Sequence, residues 1–334
     1  MTSKGDSTAP AVASGSSAGS DIIDFDKLGE AQAPERLTRP LTGGWARLVL
    51  GVCTVSSLFH LYTGGYKVLP AMQQRPIHLA FILFLTFMLF PPTRKGRDRP
   101  MGWPDFIVAS VAAMSSAFLA YNYEAIARRV TGAEDYEIYV GVVFCLFIFE
   151  ACRRTIGMIL AVLSAVFVAY AFVGPWLPGI LQHGGFTFNR VLQQMYISVE
   201  GVFGVAIGVS ATYVYLFILF GAFLNKSGTT KLFANLALAM AGHTPGGPAK
   251  VGVIASGLMG TIQGSSAANV AATGVFTIPL MKSIGLKPHF AAAVEAVASC
   301  GGMFLPPVMG SSAFIMAEYL NMPYSFVAAG AILP

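Results

Sequence analysis

The chain has 334 residues, of which 55% are hydrophobic and 11% charged, with a mean hydropathy of +0.65. A soluble domain carries about 25% charged residues, so this composition excludes an ordinary soluble globule and reads as an integral membrane protein. The net charge of +5 does not point to nucleic acid, because Lys and Arg cluster in short loops between apolar runs, as the positive-inside rule describes.

In chain order, residues 1–40 are rich in Ser, Gly, Ala and mixed charge, without the basic-then-apolar pattern of a signal peptide, and are expected to form a disordered cytoplasmic tail. Apolar runs at Arg47–Gly64, Ile77–Phe90, Pro104–Tyr121, Tyr139–Phe149, Ile156–Val173 and Val202–Leu224 are six candidate spans. The linker Pro91–Pro100 holds Arg94, Lys95, Arg97 and Arg99 and belongs on the cytoplasmic side. Alternation then places the N-terminus, Arg153 and Arg154, and Lys226 and Lys231 inside. Arg128 and Arg129 are the basic pair that does not fit, falling outside among Glu124, Glu134, Asp135 and Glu137. Glu150 stands at i, i+3 and i, i+4 from Arg153 and Arg154, as at a solvated helix end. Phe186–Glu200 has the mixed polarity of an interfacial helix, and Lys231–Ala241 reads as a short apolar helix closed by a Gly- and Pro-rich turn.

Beyond Thr155 the chain carries nine Asp, Glu, Lys or Arg residues and no aspartate. Between Lys250 and Lys282 lie 31 uncharged residues. As one straight helix they would run about 46 Å, against a hydrocarbon core of about 30 Å. A reversal at Gly264–Asn269 gives arms of about 14 residues, roughly 20 Å each, and returns both lysines to the same face. This predicts a re-entrant hairpin. Its tip needs polar residues, since reversing backbone at depth must be satisfied by protein or ligand, and its second arm offers a helix N-terminus to an anionic group.

A second break is predicted over Ser299–Ser312, where Gly301 and Gly302 weaken the helix and Pro306 and Pro307 remove two donors and hold Leu305 extended. The helix begun near Phe290 should unwind and restart near Val308, freeing carbonyls of the kind a hard cation such as Na⁺ requires. Discontinuous helices beside a re-entrant tip are the transporter pattern for midplane sites. Small residues at such positions also serve close helix packing. Glu295 sits in apolar surroundings, where protonation, pairing or a proton-coupling role are the readings available, while Glu318 snorkels towards the periplasmic end.

The five histidines, His60, His78, His183, His243 and His289, do not cluster along the sequence, and Cys53, Cys145, Cys152 and Cys300 show no paired spacing. Neither a transition-metal site, a catalytic triad nor a disulfide framework is expected. The chain contains neither a GxGxxG fingerprint nor a Walker A loop, so ATP-driven transport by this chain alone is unsupported.

The stretches VSATYVYLFILFGAFLNKSG, GGPAKVGVIASGLMGTIQGSSAANVAATGVFTIPLMK and AAAVEAVASCGGMFLPPVMGSSAFIMAEYLNMPY resemble the permease of tripartite ATP-independent periplasmic (TRAP) transporters. The likeness runs from about Arg47 to the end and is greatest to the fused small-plus-large membrane subunit that works with TAXI-type binding proteins. It implies an all-α membrane bundle comprising half of an inverted-repeat elevator. Residues 41–152 would be a four-span scaffold resembling the small subunit. Residues 153–334 would be the first half of the large subunit, with the hairpin at 250–282, a broken helix at 290–320, and a chain truncated before the second repeat. The resemblance further implies import of a small organic anion, such as a carboxylate, by Na⁺ or H⁺ cotransport at the bacterial inner membrane. A periplasmic TAXI-type protein would deliver the substrate, and no organic cofactor is involved. Substrate would meet Gly264, Ser265, Ser266 and Asn269. The cation would meet Ser265, Asn269, Gly301, Gly302, Leu305 and Pro306, with Glu295 as the proton-coupling candidate. The readings from other classes are a passive channel or scaffold subunit, and a membrane-embedded hydrolase using Ser265 or Ser266.

Overall fold

A computed structural model describes residues 38–93, 100–129 and 133–332, and every regular element among them is helical. The basic linker residues Arg94–Arg99 and most of the N-terminal tail lie outside the described residues. The described chain begins with the last residues of the segment read as a tail. Arg39 is buried, its amide donates to the Leu89 carbonyl at 3.0 Å, and its guanidinium pairs with Asp105. A carboxylate at the start of a helix gives that arginine a fixed partner, which composition alone does not reveal.

The first bundle comprises α1 (Gly43–Gly65), α2 (Ala71–Leu89), α3 (Trp103–Ala127) and α4 (Asp135–Thr155). Its core interlocks large side chains, among them Leu83, Phe87, Leu119, Phe144, Tyr196 and Phe203. Phe144 lies between Tyr196 and Phe203, with ring centroids 5.0 and 5.1 Å away. Helix α5 (Met158–Val173) buries only Ala161 and leaves its remaining apolar surface outward, as a lipid-facing helix does. Among the described residues four helices are long and apolar enough to cross a membrane: Gly43–Gly65, Trp103–Ala127, Met158–Trp176 and Val205–Lys226. The other two candidate spans fall within α2 and α4, which bring in Arg75 and the acidic start Asp135 and Glu137. The misfit pair is neutralised locally, Arg128 by Glu124 at 3.2 Å and Arg129 by Glu137 at 2.7 Å and Glu134 at 3.2 Å. At the opposite end of α4, Glu150 accepts from both Arg153 and Arg154.

The Phe186–Glu200 segment is helical over 188–197, with Leu192 and Tyr196 as its buried residues. Helix α6 (Phe188–Leu192) widens into a π-helical turn at Gln193–Ile197 and stops at Ser198. Tyr196 is drawn into the first bundle, where its hydroxyl donates to the Ser115 carbonyl at 2.6 Å and its ring fills the notch at Gly141. A buried tyrosine needs such a partner, and this one anchors one face of the segment to the bundle. Helix α7 (Val205–Lys226) contains a second π-helical turn, Ser210–Val214.

The second group holds α8 (Thr229–Ala241), α9 (Gly247–Gln263), α10 (Ser266–Ser283) and α11 (Pro288–Gly301), then α12 (Ser311–Tyr319) and α13 (Tyr324–Gly330). Its core is small: Ala234, Ala237, Ala241, Val251, Ala255 and Phe276. Small faces let helix backbones approach closely, which is how helices associate when lipid supplies no hydrophobic drive.

Candidate functional site

Helices α9 and α10 form a hairpin broken at two residues. Gly264 ends α9 with φ +59°, a left-handed conformation suited to glycine, and a Cβ there would stand 1.9 Å from the Met309 carbonyl oxygen. Ser265 follows as the N-cap of α10, its hydroxyl accepting the Ala268 amide at 3.4 Å. Ser265, Ala267 and Ala268 are exposed and Ser266 half-buried, so the N-terminal turn of an 18-residue helix is open at the tip.

Asn269 points the other way and is fully buried. Its side-chain amide donates to the Ser256 carbonyl at 2.7 Å, tying the two arms together, while its Oδ1 has no partner. Gln263 Oε1 is the other unpartnered buried side-chain oxygen of the hairpin.

The chain beyond α11 runs beside this tip. Residues 302–310 are a sequence of turns rather than an extended strand, and helix resumes at Ser311, three residues later than expected. The delay has a cause: the Gly310 amide closes back on the Met303 carbonyl at 2.7 Å, so Met309 and Gly310 belong to the loop. The Gly301 carbonyl accepts the amides of Phe304 and Leu305 at 3.2 and 3.1 Å. Pro306–Pro307 is a cis peptide; Leu305 and Pro307 are exposed and Pro306 half-buried. The loop docks on the hairpin through the Val308 amide, 3.2 Å from the Thr261 carbonyl, and through Gly302 against Gly260. There the backbones touch: a Cβ on Gly260 would lie 2.2 Å from the Gly302 Cα. From the far side Tyr324 places its hydroxyl 2.8 Å from the carbonyl oxygens of both Pro307 and Val308, and its ring stacks on Phe314, which also stacks on Tyr213 of α7. The structure thus brings Gly264, Gly302 and the 302–310 loop together, with Asn269 turned inward and Ser265 outward.

Glu295 of α11 lies fully buried between the hairpin arms. Hydroxyls surround it: Ser256 of α9 at 2.7 Å, Ser299 one turn on at 3.1 Å, and Thr273 and Thr277 of α10 in closer contact. Gly274 makes room, since a Cβ there would come within 3.3 Å of the Glu295 Cγ. No basic side chain pairs with this carboxyl among the described residues, so hydroxyls satisfy it instead. Sequence reasoning singled out Glu295 and missed its four partners, although the i, i+4 spacings of Thr273 with Thr277 and of Glu295 with Ser299 carry the signal.

One expectation is corrected. His60 of α1 and His78 of α2 do meet, His60 Nε2 lying 2.7 Å from His78 Nδ1, because antiparallel neighbours joined by a short turn bring distant positions side by side. No group of three or more His, Cys, Asp or Glu residues suited to a metal is present among the described residues, and the four cysteines are free.

Comparison with known proteins shows the family of the chain. Residues 143–334 match the family described as tripartite ATP-independent periplasmic transporter, DctM component. The C4-dicarboxylate TRAP transporter large permease protein DctM of Rhodobacter capsulatus is 41% identical over 114 residues, which is 34% of this chain and 25% of that protein. The 2,3-diketo-L-gulonate TRAP transporter large permease protein YiaN of Escherichia coli is 35% identical over 34% of this chain and 26% of that protein. The isethionate TRAP transporter permease protein DctMQ of Oleidesulfovibrio alaskensis is 30% identical over 49% of this chain and 22% of that protein. The matched stretch is about a quarter of each of these relatives, and no solved structure matches the chain. Because the family match spans more than half of the chain and contains the whole broken hairpin, this protein belongs to the DctM component of the tripartite ATP-independent periplasmic transporters, a family of membrane permeases and not of enzymes.

Proposed function

We propose that the protein is a permease of a secondary active transporter that imports a small organic anion, a carboxylate, together with Na⁺ or H⁺. The observation that carries the reading is the hairpin tip at Gly264–Ser265 held against the 302–310 loop. A helix N-terminus at a break, with Ser265 exposed and Ser266 half-buried, suits an anionic group. The buried, unpartnered Oδ1 of Asn269 suits a cation liganded by oxygen. In this reading Gly264, Ser265, Ser266 and Asn269 meet substrate. Ser265 and Asn269, with the backbone of Gly301, Gly302, Leu305 and Pro306, meet the cation. Glu295 is the candidate carrier of a coupled proton, and no organic cofactor is involved. The relatives' names, which include a C4-dicarboxylate, a diketogulonate and isethionate, support a small anion.

The first bundle serves as the small-subunit scaffold, the 153–332 region moves against it as half of an elevator, and a TAXI-type periplasmic binding protein delivers the substrate. The chain sits in the inner membrane with its N-terminus cytoplasmic and Lys250 and Lys282 facing the cytoplasm. Uptake of a labelled carboxylate into proteoliposomes, with the binding protein and an imposed Na⁺ or pH gradient, tests this. Ser266→Leu and Asn269→Leu are expected to abolish uptake while leaving membrane insertion intact, and wild-type uptake in either would remove the tip from the mechanism. Uptake without a gradient or a binding protein would favour a passive channel. Cysteines at Lys250 and Lys282 that react from opposite sides would disprove the re-entrant geometry.

A further inference from the structure

We propose that His60, His78 and Ser210 form a buried site for one proton, at the joint between the α1–α2 pair and the π-helical turn of α7. His60 is fully buried and His78 is 2% exposed. The hydrogen-bond chain has a single direction. The Ser56 carbonyl can only accept, so His60 Nδ1, 2.7 Å away, carries a hydrogen. In a neutral ring His60 Nε2 is then an acceptor, so His78 Nδ1 donates to it across 2.7 Å. His78 Nε2 is left to accept from the Ser210 hydroxyl, 3.0 Å away. Every ring nitrogen is satisfied with both imidazoles uncharged.

The same geometry admits one further proton and no second. An added proton enters at His78 Nε2, and the Ser210 hydroxyl turns from donor to acceptor. The hydrogen between the rings then rests on either nitrogen, so both rings share the charge. A second proton would place hydrogens on both His60 Nε2 and His78 Nδ1, which face each other at 2.7 Å. The Tyr215 ring, stacked on His60 with centroids 3.8 Å apart, offers its face to that charge.

Around the pair, α7 presents Tyr215, whose hydroxyl lies 3.2 Å from Ser57 Oγ. On α2, Arg75 stands one turn before His78 and donates to the Phe203 carbonyl at 2.8 Å. On α12, Glu318 lines the same cavity as Arg75 and Gln74. Lys67 follows α1 and is exposed. Neither carboxylate nor cation touches the two rings among the described residues, so the proton is held by the imidazoles and Ser210.

The test is a pH titration of the full chain in detergent with ¹⁵N-labelled histidine. The His60 and His78 ring nitrogens are expected to shift together, with one midpoint and an uptake of one proton. Ser210→Ala should move that midpoint and leave His183, His243 and His289 unmoved. His78→Gln should abolish the joint step, and where that variant fails to fold the wild-type and Ser210→Ala titrations decide alone. Two independent steps, no uptake over the range in which the protein stays folded, or a joint midpoint indifferent to Ser210→Ala would each overturn the proposal.

Discussion

The first bundle and the α8–α11 group solve the same problem, holding helices together in lipid, with opposite materials. In the first, rings such as Phe87, Phe144 and Phe203 interlock and ion pairs close the ends. In the second, alanines and glycines bring backbones together, and a carboxyl ringed by hydroxyls fills the middle. A core of interdigitated rings resists displacement, because moving one ring opens a void. A core built mainly of small residues and short polar contacts, with Phe276, Met259 and Met281 as its larger members, has fewer knobs to withdraw, which suits the part of the molecule that carries the broken helices.

Substitutions can break that contrast, and the largest effect is expected where backbones touch. Gly302→Leu places a side chain where Gly260 already stands, so the loop must leave the hairpin. Thermal unfolding in detergent should show a loss of about 3 kcal/mol or more, above the usual range for overpacking. The cation activation curve of uptake should shift, and an unchanged curve would count against the loop's role. Phe144→Ala tests the first bundle: the void between Tyr196 and Phe203 should cost about 3–5 kcal/mol while leaving the ion dependence of any remaining uptake unaltered.

Glu295 comes next. Glu295→Leu strands four hydroxyls and is expected to cost about 1–3 kcal/mol, with Glu295→Gln costing less because an amide oxygen still accepts. If uptake is proton-coupled through this residue, the Gln variant keeps its fold and loses its pH dependence. The smallest effect is at Glu150, whose hydrogen bonds to Arg153, and then to Arg154, hold its carboxyl below the usual range. A lowered folded value means the stabilisation is present above the ordinary carboxylate pKa and is lost as pH falls below it. Being partly exposed, the cluster should contribute under about 1 kcal/mol, read as a small drop in melting temperature on acidification that Glu150→Gln removes.

The two breaks were legible in the sequence because their signals cluster, Gly264 beside two serines and Gly301–Gly302 just before Pro306–Pro307, whereas the isolated Gly260, Gly274 and Pro279 stay within their helices. The hydroxyl ring was legible only in part: the i, i+4 spacings of Thr273 with Thr277 and of Glu295 with Ser299 stand in the sequence, but that these hydroxyls and Ser256 share one carboxyl is decided where three helices converge on Glu295. The histidine pair escaped for a related reason, as 18 positions separate partners brought together by the α1–α2 turn. Tyr196 was equally hidden: the mixed polarity of its segment gives no sign that its hydroxyl reaches the Ser115 carbonyl in the first bundle. Arg39 was hidden within a tail judged by composition, which gives no sign of its contacts with Asp105 and the Leu89 carbonyl.

The crossing of Gly260 and Gly302 has a thermodynamic corollary. With no rotamer on either side, making or parting that contact neither freezes nor releases side-chain freedom, whereas a long side chain costs about 1.5–2 kcal/mol to immobilise. Whatever ordering the docked loop demands at this crossing therefore falls on the main chain, where glycine has the most freedom to lose.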